Sequence, residues 1–145
     1  MRIVVQRVKE ASVLANGVLT GKIGKGLLLL LGIHKEDTGE QIEWLVNKLI
    51  NLRIFEDEDG KMNRSLIDVD GEVLVVSQFT LYGNCSNGRR PDFADAAGGP
   101  EAEDLYNRFN AFVKKKFKMP QTGKFGAYME VSLINDGPVT FIIDR

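Results

Sequence analysis

The dipeptide Asn16-Gly17 constrains the fold more than any other feature of this 145-residue chain. Asn-Gly supplies the two left-handed residues that a tight hairpin turn requires. Ser12–Ala15 and Val18–Ile23, on either side of it, are therefore expected to pair as antiparallel strands. Upstream, Ile3, Val5 and Arg7 alternate against Val4, Gln6 and Val8, the period of a strand. Downstream, Gly24-Lys25-Gly26 turns the chain into Leu27–Ile33, whose unbroken apolar run predicts a strand covered on both faces.

The middle of the chain changes period. Thr38 and Gln41 have the spacing of a capping box. Ile42, Leu45, Val46, Leu49 and Ile50 then recur at helical intervals, predicting a helix from about Thr38 to about Asn51. Arg53–Phe55 reads as a short strand, Glu56–Gly60 as an acidic turn, and Glu72–Ser77 as a second buried strand. A further helix begins at Pro100, a favourable first helical residue. Its apolar stripe is Ala102, Leu105, Tyr106, Phe109, Phe112 and Val113, and Pro120 bars its continuation. The C-terminus reads as two strands, Tyr128–Ile134 and Val139–Asp144, around Asn135-Asp136-Gly137-Pro138. Strands at both ends with two main helices between them predict an α+β domain with a mostly antiparallel, barrel-like sheet. With no repeat, linker or low-complexity segment, residues 1–145 form a single domain.

Composition excludes several classes. Cys85 is the only cysteine, so no intramolecular disulfide can form and a reducing compartment is expected. One Cys and one His cannot build the usual zinc site. The longest apolar stretch, Gly26–Ile33, is far shorter than the ~20 residues of a membrane helix. Met1-Arg2 leads into an alternating segment rather than a signal peptide. A cytoplasmic protein without membrane contact is the expectation. The formal charge is −1, but it is unevenly spread. Glu56–Glu72 holds seven acids against two bases, and Leu105–Tyr128 holds six bases and no acid. The basic segment, Lys114 to Lys118 above all, either faces phosphate or complements the negative end of a helix.

Few residues suggest side-chain catalysis. His34 follows a strand with no nucleophile at a recognisable spacing, and Cys85 has no local base to activate it. The Glu56–Gly60 run lacks the alternating ligands of a calcium loop, and the glycines around Leu27 lack the ending of a phosphate loop. Ser77-Gln78-Phe79-Thr80 is different, because polar groups appear where a buried strand emerges. They read either as a pocket wall with free backbone amides or as a polar strand end. Arg89-Arg90-Pro91 and Phe93 either bind phosphate and stack a base or cap a loop. From base rates alone, the Gly137-Pro138 bond is expected to be trans.

Ser77-Gln78-Phe79-Thr80-Leu81 and Asn135-Asp136-Gly137-Pro138-Val139-Thr140 together resemble the two signature motifs of the D-aminoacyl-tRNA deacylases. Supporting matches span nearly the whole chain: Gln6-Arg7-Val8, Asn51–Phe55, Gly60–Asn63, Arg90-Pro91 with Phe93, and Thr122-Gly123 with Phe125-Gly126-Ala127. The visible departure is Gly83-Asn84-Cys85, where the family more often has Ala-Asp-Thr. It lies outside both signatures.

The resemblance implies an editing hydrolase that cleaves the ester of D-aminoacyl-tRNA, and of mischarged glycyl-tRNA, as a homodimer without cofactor or metal. Ser77, Gln78, Phe79 and Thr80 would form the catalytic segment of the pocket. Gly137 and Pro138, joined by a cis bond, would reach in from the partner chain and exclude L-amino acids. Arg7 would help hold that motif, and Phe125 and Met129 would line the pocket. The adenosine 2′-hydroxyl would assist the attack of water. Arg89, Arg90, Lys114, Lys115 and Lys116 are the candidate tRNA contacts.

Overall fold

The computed structural model describes all 145 residues. Its organising element is β1 (Arg2–Ala15), a strand of 14 residues. One edge of β1 carries β3 (Gly26–Gly32) along its first half and β2 (Val18–Ile23) along its second, both antiparallel. The other edge carries β8 (Met129–Asp144), antiparallel over the whole length. The hairpin forms at Asn16-Gly17, where both residues have positive φ as the turn requires.

Beyond β3 the sheet becomes parallel. β6 (Glu72–Ser77) runs alongside β3, and β7 (Gln121–Thr122) alongside β6. The sheet is therefore mixed, and it curls until it nearly closes. A methyl placed on Gly21 of β2 would stand 3.0 Å from the Thr122 carbonyl of β7. Gly26 meets the same constraint at the β3–β6 ladder, where a Cβ would collide with the Glu72 carbonyl. A separate two-stranded ribbon, β4 (Phe55–Glu56) with β5 (Met62–Arg64), lies outside the barrel.

Two helices cover one face. α1 (Glu40–Asn51) buries Ile42, Leu45, Val46, Leu49 and Ile50. α2 (Gly99–Lys116) buries Ala102, Leu105, Tyr106, Phe109 and Val113. β3 is buried on both sides as its apolar run requires: Leu27, Leu29 and Leu31 pack under the helices, whereas Leu28 joins Val8, Val13, Ile23 and Leu74 in a second cluster. No helix is long and apolar enough to cross a membrane.

Four expectations need correction. The capping box does not form. α1 starts at Glu40 behind Gly39, whose positive φ ends the preceding turn, and the only reciprocal contact is Gly39 N donating to Gln41 Oε1. The short strand expected at Arg53–Phe55 is shifted to Phe55–Glu56, which pairs with Arg64 and Met62, while the backbone just before it turns on a bond from Ile54 N to the Leu52 carbonyl. The C-terminus is one strand rather than two. β8 stays on β1 throughout and extrudes its motif as a bulge: Gln6 pairs with Thr140 and Val8 with Asn135, leaving Asp136–Val139 without partners. Pairing to one long strand outweighs the turn propensity of Asn-Asp-Gly-Pro. The Gly137-Pro138 bond is cis, contrary to the base-rate expectation.

Candidate active site

A cavity of about 430 Å³ opens where β6 leaves the sheet. Val76 and Ser77 with Gln78 and Phe79 make one wall, and Phe125–Met129 make the opposite one. Leu31 of β3 with Ile33 just beyond it, Ala97 with Gly99 and Ala102 around the start of α2, and Val131 of β8 complete the lining. No lining residue is an acid, a base, a histidine or a cysteine. The chain therefore offers this cavity apolar surface, hydroxyls, one carboxamide and backbone.

The backbone of the Ser77–Thr80 segment leaves two amide donors unpartnered. Gln78 N makes the last bond to β3, donating to the Leu31 carbonyl at 2.8 Å. The chain then enters a 3-10 turn, Phe79–Tyr82, whose first bond beyond the segment runs from Leu81 N to the Gln78 carbonyl at 3.3 Å. The Phe79 and Thr80 amides precede that bond, and neither has a partner among the turn, loop or side-chain hydrogen bonds. Free donors at the opening of a helical turn point outward together. The Thr80 hydroxyl accepts from Gln78 Nε2 and has no basic group beside it. Thr80 does not line the cavity, and its hydroxyl is thus neither activated nor enclosed.

The turn is supported from behind. Arg2 Nη1 donates to the Leu81 carbonyl at 2.9 Å, and Arg2 and His34 both lie against the Tyr82 ring. Burial pushes the Tyr82 phenol up to about 12. Phe79 meets Phe93 edge to face at 5.0 Å, tying the cavity mouth to the loop that carries Arg89 and Arg90. That loop is closed at its base by paired backbone bonds between Asn84 and Asp92. His34 and Cys85 lie outside the cavity lining.

Gly137-Pro138 lies far from the chain's own cavity. Val131, the last lining residue on β8, is four residues of strand from Asn135, ~13 Å. The bulge is locked by Arg7, whose guanidinium is buried. Nη1 donates to the Ile54 carbonyl at 2.6 Å, Nε to the Asp136 carbonyl at 3.0 Å, and Nη2 to Glu56 Oε1 at 3.4 Å. The Asp136 carboxylate stands 3.3 Å from Nε. Asn135 closes the base, its Nδ2 donating to the Arg7 and Val139 carbonyls at 3.1 and 3.0 Å.

A model of the D-Tyr-tRNA(Tyr) deacylase family matches residues 4–144. The chain belongs to that family. The D-aminoacyl-tRNA deacylase of Clostridium acetobutylicum is 56% identical over 144 residues, 99% of this chain and 97% of that protein. That of Bacillus anthracis is 58% identical over 144 residues, 99% of each chain. The solved structure of a c-Myc DNA Unwinding Element Binding Protein, 45% identical, superposes with a TM-score of 0.94 over 100% of this chain and 99% of its own. A probable eukaryotic D-amino acid tRNA deacylase, 20% identical and covering 99% of this chain and 98% of its own, shares the fold at a TM-score of 0.85.

Within this deacylase-family chain the structure brings Ser77, Gln78, Phe79, Phe125 and Met129 into one cavity. It keeps Arg7, Gly137 and Pro138 together elsewhere. Lys114, Lys115 and Lys116 sit in the last turn of α2, twelve or more residues beyond Ala102 and so ~18 Å or more from the cavity. Lys116 faces Glu43 at 3.7 Å, and the nearby Lys118 pairs with Asp70 at 2.8 Å. Sequence reasoning missed the contribution of α2. The run Ala96-Ala97-Gly98-Gly99 before Pro100 was the available signal, since small residues admit a cavity beside a helix start.

Proposed function

We propose that this cavity hydrolyses the ester linking a D-amino acid, or glycine, to the 3′-terminal adenosine of tRNA. The observation that carries the reading is the pair of unpartnered amides, Phe79 and Thr80, at the mouth of an uncharged cavity in a chain of this family. Water adds to the ester carbonyl with help from the adenosine 2′-hydroxyl, the two amides take the developing oxyanion, and the 3′-oxygen leaves with a proton. Removing one such donor costs about 3–4 kcal/mol of transition-state stabilisation. Ser77, Gln78 and Thr80 position the ester rather than attack it, because an unactivated hydroxyl without a base is a poor nucleophile.

The cavity alone offers the substrate's ammonium group no carboxylate, so it needs a further acceptor beside the hydroxyls and the carboxamide. In our reading the backbone carbonyls of Gly137-Pro138 of the partner subunit supply it, and the rigid motif occupies the space an L side chain needs. Support for such a homodimer comes from β8, whose second edge has no strand partner and which exposes Ile134 and Ile142. An apolar free edge of that length is ordinarily covered. Arg89 and Arg90 are the tRNA contacts nearest the cavity mouth, with Lys114, Lys115 and Lys116 meeting phosphate farther along the acceptor arm.

The test is deacylation of D-tyrosyl- and L-tyrosyl-tRNA by the purified protein, with sedimentation at the assay concentration. Release of D-tyrosine only, by a species of twice the 16.1 kDa chain mass, is the expected result. Binding without hydrolysis, or a fully active monomer, defeats the reading.

A further inference from the structure

Three strands meet at one rim of the sheet, where Arg2 of β1 pairs with Gly32 of β3 on one side and Asp144 of β8 on the other. Residues paired across adjacent strands share a face of the sheet. The middle position therefore carries a cation, with a carboxylate beside it on one strand and no side chain on the other.

The bare position is filled by the turn that bears the two free amides. A methyl on Gly32 would stand 3.0 Å from Leu81 Cβ, 3.2 Å from the Gln78 carbonyl oxygen and 3.3 Å from Tyr82 Cδ2. The turn thus rests directly on the backbone of β3. Arg2 clamps it from the neighbouring strand. Its Nε and Nη2 donate to the two Asp144 carboxylate oxygens at 2.7 and 3.3 Å, which orients the planar fork. The remaining nitrogen, Nη1, donates to the Leu81 carbonyl at 2.9 Å, and the guanidinium carbon lies 5.2 Å from the centre of the Tyr82 ring. Within the turn, the Gln78 carbonyl accepts the Leu81 amide and the Thr80 carbonyl accepts the Gly83 amide. The Leu81 carbonyl accepts no backbone amide among the turn and loop bonds, so Arg2 ties down the peptide that the main chain leaves loose. Thr80, bearer of one free amide, directly precedes it.

We propose that Arg2, oriented by Asp144, is a positioning residue that fixes the aim of the Phe79 and Thr80 amides. The inference rests on the reading above, in which those amides take the oxyanion. Arg2 is not among the residues lining the cavity, so it acts on the reaction only through the turn. Its effect grows as charge develops on the ester oxygen. Loss of the clamp therefore weakens binding of the transition state and spares binding of the ground state.

The experiment measures two affinities and one rate in wild type, Arg2→Met, Arg2→Lys and Asp144→Asn. The amide D-tyrosyl-3′-amino-3′-deoxyadenosine mimics the ester before attack, and the corresponding phosphonate places an anionic oxygen where the oxyanion forms. The ratio of the two Kd values is independent of the active fraction, so a variant that is merely less stable leaves it unchanged. A misplacement of ~1 Å costs about a hundredfold in rate, and a turn still resting on Gly32 moves by less. Arg2→Met is therefore expected to raise the phosphonate Kd about tenfold, to lower kcat on D-tyrosyl-tRNA by a similar factor, and to leave the amide Kd within about twofold. Asp144→Asn should shift the ratio in the same direction by about threefold, since it loosens the fork without removing it. Arg2→Lys should fall between wild type and Arg2→Met, because an ammonium can reach the carbonyl but has no fork. A folded Arg2→Met protein with the wild-type ratio overturns the proposal, whether both affinities hold or fall together. If Arg2→Met does not fold, a wild-type ratio in Asp144→Asn overturns it instead. A wild-type protein that binds the phosphonate no better than the amide, or that releases no D-tyrosine from tRNA, would instead defeat the functional reading on which the proposal rests.

Discussion

Replacing Gly137 by alanine is the sharpest test of the role given to the β8 bulge. Gly137 has φ +134, a region that L side chains rarely adopt. The added methyl would lie 2.6 Å from Val139 Cγ2, 2.9 Å from Val139 N and 3.1 Å from Arg7 Nη2. Backbone strain of ~1–3 kcal/mol and overpacking of ~1–3 kcal/mol fall on the same few atoms. Relief to an ordinary contact of ~3.4 Å requires a shift of roughly 0.8 Å. The ladder on either side, Gln6 with Thr140 and Val8 with Asn135, does not depend on the bulge. The fold should therefore survive, with Tm lowered by roughly 7–20 °C. A displacement of ~1 Å in a positioning element costs about a hundredfold in rate, so kcat/KM on D-tyrosyl-tRNA should fall roughly 30- to 100-fold. Initial-rate deacylation beside thermal denaturation followed by circular dichroism measures both. A folded Gly137→Ala enzyme within threefold of wild type would refute the placement of this motif at the site. An unfolded one would refute the claim that the bulge is independent of the sheet.

Other outcomes follow from the same geometry. Arg7→Met leaves the Ile54 and Asp136 carbonyls and the Asp136 carboxylate without their buried donor. Urea denaturation should show a loss of about 1–3 kcal/mol for each buried carbonyl left without its donor, with Arg7→Lys intermediate because an ammonium cannot reproduce the fork. Asp57 is held below the usual carboxylate range by Asn63 Nδ2 and then the Lys61 amide, and Asp68 by the Ser65 amide and then its hydroxyl. Such carboxylates stabilise the fold fully above their unfolded value, about pH 4, and lose that contribution as pH falls through the lower folded value. Asp68→Asn should therefore lower Tm at pH 7 and flatten the acid limb of a Tm-against-pH curve; an unchanged limb counts against the assignment. Replacing Lys114, Lys115 and Lys116 by glutamine should reduce the slope of log K for tRNA against log salt by about 2, and an unaltered slope would leave those lysines as helix-end charges.

The local elements were largely legible in the sequence. The hairpin at Asn16-Gly17, the doubly covered β3, strand β6 and the buried faces of both helices each follow from periodicity or turn chemistry acting over a few residues. Fold class followed from their order. The two signature motifs were also readable as words, although nothing local says where each lies relative to the other. Tertiary structure decided what long-range pairing controls. The Asn135–Val139 segment reads as a turn, yet β1 is long enough to hold β8 on both sides of it, so the turn becomes a bulge on a continuous strand. The parallel ladders of β6 and β7 carry no local mark, because their partners are distant in sequence. The capping box failed for the same reason: Gly39 ends the turn in a left-handed conformation, and the Arg108 guanidinium of α2 occupies the space a side chain there would need. The cavity itself is the clearest case. Its walls come from β3, β6, α2 and the start of β8, which only the parallel β3–β6 ladder and the packing of the helices bring together.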